Sequence, residues 1–141
     1  YQALKIAAEY NGTGHLSSQE GLAVVRAARE CGVEHVVLTH ADNPANEYSL
    51  EEQYQAVQEG AMVEHCYFTS YYQRTPIEVI AQQIQHVGCK SVVLSTDFGQ
   101  VNSPYSDEGM LEYMQCLLQC SISEEDLFQM VCANPRSLLQ S

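Results

Sequence analysis

Two histidines and one aspartate stand where a metal-assisted reaction would need them: His15, His40 and Asp97. Each closes a short segment that reads as strand-like. Neutral imidazole and carboxylate together suit a divalent ion, Zn2+ first, with Mn, Fe, Co or Ni also accepted. Three such ligands leave a coordination position for water, whose pKa a bound ion lowers toward neutrality. A carboxylate at the same place can take the water's proton and pass it to a leaving group, the part expected of Asp97. Each residue alone has an ordinary structural account: His15 in a turn, His40 bonded to a loop, Asp97 capping a helix. Convergence on one rim is what favours chemistry, and that depends on the elements between them.

The stretch Val92-Val93-Leu94-Ser95 is too short for a helix and suits a buried parallel strand that stops on Thr96-Asp97. His35 to Thr39, ending on His40, and Ala61 to Cys66 read the same way. Helices fill the gaps. Ser17-Ser18-Gln19-Glu20, Ser49-Leu50-Glu51-Glu52 and Thr75-Pro76-Ile77-Glu78 are each expected to be a capping box, the last with Pro at the first helical position. Inward stripes follow at Leu22, Val25 and Ala28, at Leu50, Tyr54 and Val57, and at Ile77, Ile80, Ile84 and Val87. The stop glycines Gly32, Gly60 and Gly88 are spaced 28 and 28 residues apart. Helix–Gly–strand units at that spacing predict α/β architecture, with parallel (β/α) units and all strand carboxyl ends on one side. A helix over residues 2 to 10 and a poorly marked strand around Gly12 to Leu16 would make a fourth unit. The tail reads as helices starting at Ser106, with Met110, Met114, Leu117 and Leu118 inward, and at Ser123, with Leu127, Met130 and Val131 inward. Asn134-Pro135 is expected to break the pattern, with Arg136 to Leu139 making a last short turn.

Four units are about half of a closed (β/α)8 barrel of ~250 residues. Residues 1–141 are therefore expected to be a single partial barrel domain, the C-terminal half of a TIM-like barrel and a fragment of a longer chain. Such a half leaves strand edges unpaired, an invitation to form a homo-oligomer.

The charge balance, 18 Asp+Glu against 6 Lys+Arg with net −12, argues against nucleic acid and against anionic membrane surfaces. No apolar run reaches membrane-spanning length. Six cysteines without a Cys-x-x-Cys pair are expected to be free thiols, five of them in or beside apolar helix and strand patterns. A reducing, cytoplasmic setting follows.

Gly14-His15-Leu16-Ser17, Thr39-His40, Ser95-Thr96-Asp97-Phe98-Gly99 and the closing Asn134-Pro135 together resemble the later half of the amidohydrolase superfamily of metal-dependent (β/α)8 hydrolases, near an uncharacterised branch. In that superfamily a His ends the fifth strand, a His the sixth and an Asp the eighth. The resemblance implies metal ligands at His15, His40 and Asp97, with Asp97 also the proton acceptor. It further implies hydrolysis of a carbon–nitrogen, ester or phosphoester bond in a small-molecule substrate. The superfamily's first-strand His-x-His and fourth-strand Lys or Glu have no counterpart here, so at most three protein ligands and one metal are expected.

Glu64 and His65 are candidates for substrate binding; as strand neighbours they point to opposite faces, so at most one of them faces the site. Asp42-Asn43-Pro44 is a turn on the same rim, and Tyr67, Phe68, Tyr71 and Tyr72 follow a strand there. His86, near a helix end, is expected to serve the macrodipole, and His35 to be structural. The alternative to a hydrolase is a non-catalytic α/β module whose rim binds a small ligand or whose edges bind a partner strand.

Overall fold

The structure, a computed structural model, describes residues 15–139. The helix expected over residues 2 to 10 and the start of the strand around Gly12 lie outside them, and His15 and Leu16 belong to no strand. Among the described residues, three parallel strands form one open sheet in the order β1 (Val37–Leu38), β2 (Met62–Cys66), β3 (Val92–Ser95). The chain is α/β. No described helix is long and apolar enough to cross a membrane.

Helices α1 (Ser18–Glu30), α2 (Leu50–Gln58), a short α3 (Tyr67–Tyr71), α4 (Ile77–Val87) and α5 (Ser106–Gln119) follow in chain order. The four long ones pack successively, α1 on α2, α2 on α4 and α4 on α5. Ser17 and Ser49 cap α1 and α2 with the expected boxes, and Gly32, Gly60 and Gly88 all take positive φ where the helices end. The Glu52 carboxylate also accepts from the Ser18 hydroxyl at 2.9 Å, joining the two helix starts.

The sheet buries one face under these helices. Leu38, Val63, His65, Val92 and Leu94 are all buried there, with Val63 beside Val92 and His65 beside Leu94. The opposite set, Val37, Met62, Glu64, Val93 and Ser95, is only half-buried, although Cys66 among it is fully covered. Parallel strands are normally covered on both faces, so this second face is the exception.

Several side-chain expectations need correction. The third capping box does not form: Pro76 is the N-cap of α4 and no side chain caps it. Thr75 instead ties its amide to the Thr69 carbonyl at 3.2 Å. On α2 the buried residues are Gln53 and Ala56, while Leu50 and Tyr54 stand 41% exposed. The helix is turned because Gln53 satisfies two buried polar groups, a larger stake than half-covering a Tyr. On α5, Tyr113 is buried and stacks on Tyr67 at 4.8 Å, whereas Leu118 is exposed. Met110 and Met114 pack against the core from its edge.

Asn134-Pro135 opens the last short helix, although the helical path before it is unbroken. After α6 (Glu124–Phe128) comes one π-helical turn, Gln129–Ala133, and helix α7 (Asn134–Leu138) continues from it. Pro135 sits in the first turn of α7, where its missing N–H is tolerated. The buried Asn134 amide donates to the Cys89 and Val92 carbonyls at 2.7 and 2.6 Å, pinning this end to the start of β3.

Gly21 marks a close approach of α1 to Tyr48 and to Leu38 of β1. A Cβ there would overlap the Tyr48 hydroxyl and crowd Leu38. Gly21→Ala is expected to destabilise the protein by about 1–3 kcal/mol through overpacking. A urea midpoint equal to wild type would show that Tyr48 moves aside freely.

Candidate metal centre

The rim is built by the turns that leave β1 and β3. His40 and Asp97 both lie just beyond a strand, and both adopt left-handed backbone, φ 55° and 53°. Such conformations are uncommon outside glycine, although His and Asp tolerate them better than most. They hold when neighbours over-determine them. At His40 the buried Asn46 amide donates to the His40 carbonyl at 3.0 Å, and Asn43 caps the turn from its side chain to the Ala45 amide. At Asp97 the Gln100 side chain donates to the Asp97 carbonyl at 3.0 Å.

Asp97 Oδ2 lies 3.8 Å from His40 Nε2. That is long for a hydrogen bond and near the roughly 3.4 Å between two ligands of one tetrahedral ion with bonds of 2.0–2.2 Å. The Asp97 side chain is 42% exposed while that of His40 is 9%, so one partner faces solvent and the other the fold. The His15 ring stacks on His40, centroids 4.5 Å apart and 14° between planes. His40 thus lies beside each of the other two expected ligands. Stacked rings present their lone pairs side by side, however, so His15 must turn before it can share an ion with His40.

On the inner side, Cys66 Sγ lies 3.0 Å from His40 Nδ1 and 3.0 Å from Ser95 Oγ. Burial, then the Glu64 and Asp42 charges, push this thiol far above its ordinary range, so it is protonated at neutral pH. The ligand atoms of His40, Glu64 and Cys66 all fall within 4.8 Å of one another, the single such group among the described residues. Sequence reasoning placed Cys66 in the apolar core. Its signal was the alternation Glu64, Cys66 on the strand beside His40.

Asp42 lies in the turn expected on the rim after His40. It is 2% exposed; its Oδ2 accepts from the Cys66 amide at 3.1 Å, and Oδ1 is buried without a hydrogen-bond partner among the described residues. Burial raises its carboxyl to about 7, against the pull of the Cys66 amide.

The two substrate candidates separate as strand geometry requires. Glu64 faces the His40 side, and the fully buried His65 faces α2. His65 Nε2 lies 3.0 Å from Gln53 Oε1, while Gln53 Nε2 donates to the Ala41 carbonyl at 3.0 Å. That second bond fixes the amide, so His65 donates from Nε2 and is neutral, with Nδ1 bare. Burial lowers its pKa to about 3. His65 therefore supports the β1 turn from behind the sheet. The aromatic group lies at the rim: Tyr71 and Tyr72 pack edge-on against Phe98, next to Asp97. His86 lies 3.6 Å from Glu51 and meets Tyr54 edge-on; His35 precedes β1.

No curated protein and no solved structure matches this chain. Over residues 1–64 the chain is similar to a family of unknown function, DUF6282, and that stretch carries His15, His40 and Glu64 while ending short of Cys66 and Asp97.

Proposed function

We propose that the protein is a metal-dependent hydrolase of the amidohydrolase type, cleaving a carbon–nitrogen, ester or phosphoester bond, built on the later part of a (β/α)8 barrel. The observation that carries this reading is the 3.8 Å approach of His40 Nε2 to Asp97 Oδ2 beyond the carboxyl ends of β1 and β3, the two parallel strands that flank β2. In barrels of this kind, chemistry sits at that rim. The half-buried second face of the sheet is what a barrel interior would need.

His40 and Asp97, joined by His15 once its ring turns, are the residues that would hold a divalent ion, and imidazole with carboxylate is a fitting donor set. A bound ion would supply Lewis acidity and a water acidified toward neutral pH. The chain supplies the rest. Asp97, open to solvent on one side, accepts the water's proton and returns it to the leaving group. Tyr71, Tyr72 and Phe98 form an apolar wall beside it that holds substrate and keeps out bulk water.

Elemental analysis of wild type and of a His15→Ala/His40→Ala double variant tests the reading. Near-stoichiometric divalent metal in wild type, lost in the folded variant, is expected, followed by turnover in a panel of amide, ester and phosphoester substrates. A folded, metal-loadable wild type inert across that panel would count against hydrolysis. The open edges of β1 and β3, each paired on one side only among the described residues, favour the second reading of a partner-binding module.

A further inference from the structure

His40 turns its two ring nitrogens toward different neighbours: Nε2 to Asp97 on the rim, Nδ1 to Cys66 one layer inward. Glu64 and Cys66 lie two residues apart on β2 and so share a face, and β1 brings His40 alongside. We propose that His40 Nδ1, Cys66 Sγ and a Glu64 carboxylate oxygen form an inner, thiolate-containing position for a borderline-soft divalent cation such as Zn2+, distinct from the rim position.

The donor set is the first argument. Thiolate selects for Zn2+ and Co2+ over Mg2+ or Ca2+, which prefer oxygen, and three protein ligands leave a fourth place for water. Geometry is the second. Bonds of about 2.3 Å to sulfur and 2.0–2.1 Å to nitrogen set the two ligands roughly 3.5 Å apart in a tetrahedron, so the observed 3.0 Å needs only a small side-chain shift. Burial is the third: Cys66 is 0% exposed and His40 7%, so few waters compete for the ion. Asp42 adds an acceptor nearby, with one buried oxygen unpartnered among the described residues.

Occupation has a definite proton balance. The Cys66 S–H bond breaks, a metal–sulfur bond forms, and the proton leaves to solvent. A cation on Nδ1 leaves Nε2 protonated, so the ring then donates toward Asp97, which orients it from outside as carboxylates do for zinc-binding histidines. One neutral imidazole serves one ion at a time. The inner and rim positions are therefore alternatives, and the softness of the ion selects between them. This inference stands without any hydrolytic activity.

Titrating the metal-free protein with Co2+ tests it. A near-ultraviolet thiolate-to-cobalt charge-transfer band, saturating at one equivalent, is expected in wild type and in Asp97→Asn. Cys66→Ser should lose the band, and its Zn2+ affinity should fall by more than the about 10–100-fold that losing an outer-shell partner costs. A wild type without the band, or a band that survives in Cys66→Ser, overturns the proposal. Should Cys66→Ser fail to fold by circular dichroism, Glu64→Gln serves instead: it should keep the band with at least about tenfold weaker Co2+ binding, and unchanged binding would be fatal. A protein that shows the band but hydrolyses nothing keeps the inner position and loses the hydrolase reading; turnover without the band does the reverse.

Discussion

Asp97→Asn is expected to lower metal-dependent turnover by about 10²–10⁴-fold, the range that a positioned acid–base group contributes. Asparagine is the replacement of choice because it matches aspartate in shape and accepts the left-handed backbone found here at φ 53°. The Gln100 side chain bonds the Asp97 backbone carbonyl, which the substitution leaves in place. The fold should therefore survive, and circular dichroism and urea midpoint should match wild type. What disappears is the negative charge 3.8 Å from His40 Nε2, and with it the proton acceptor. Metal content divides the possible causes. Turnover lost with metal retained assigns proton transfer to Asp97, and turnover lost with the metal assigns ligation. Unchanged turnover removes Asp97 from the mechanism. Asp97→Ala is the poorer test, since alanine in left-handed backbone adds strain to the lost charge.

The parallel strands and the helix-stop glycines were legible because they rest on local rules: short β-branched runs, and residues that must reach positive φ. The serine capping boxes of α1 and α2 were legible for the same reason. Orientation of the helices was less so. Leu50 and Tyr54 make a fair stripe by periodicity, yet α2 buries Gln53, because two polar groups that no local pattern mentions, the Ala41 carbonyl and His65, need its amide. Likewise Tyr113 displaced Leu118 inward through its stack on Tyr67, a residue from a distant segment. The last helix starts at Asn134-Pro135 as the pattern suggested, but a π-helical turn leads into it without a break, which no local signal marks. At the site, residue types and expected strand ends pointed to His15, His40 and Asp97; His40 lies beside each of the other two, although His15 ends no strand. The presence of Cys66 beside His40 depends on strand register, and the stacking of His15 on the path of a segment outside the sheet; sequence spacing leaves both open.

The second large effect concerns acid, and it comes from two buried groups that oppose each other. His65 has a folded pKa of about 3 against 6.5 for the free group, so between those values the unfolded chain binds more protons. Stability from His65 therefore falls as pH drops below 6.5, by about 1.4 kcal/mol per pH unit. Asp42 runs the other way. Its pKa is raised from 3.8 to about 7, so the folded chain binds more protons in that window, and its contribution grows as pH falls from 7 toward 3.8. Between about pH 6.5 and 4 the two slopes nearly cancel, and wild type should show little pH dependence from this pair. Single substitutions uncover each slope. Asp42→Asn, which can still accept from the Cys66 amide, should lose about 3 kcal/mol between those two pH values, while His65→Gln should gain a similar amount on the same descent. Urea unfolding of the three proteins across this range makes the comparison. Curves that fan out with opposite slopes are expected; three parallel curves would mean that neither group keeps its shifted pKa in the folded chain.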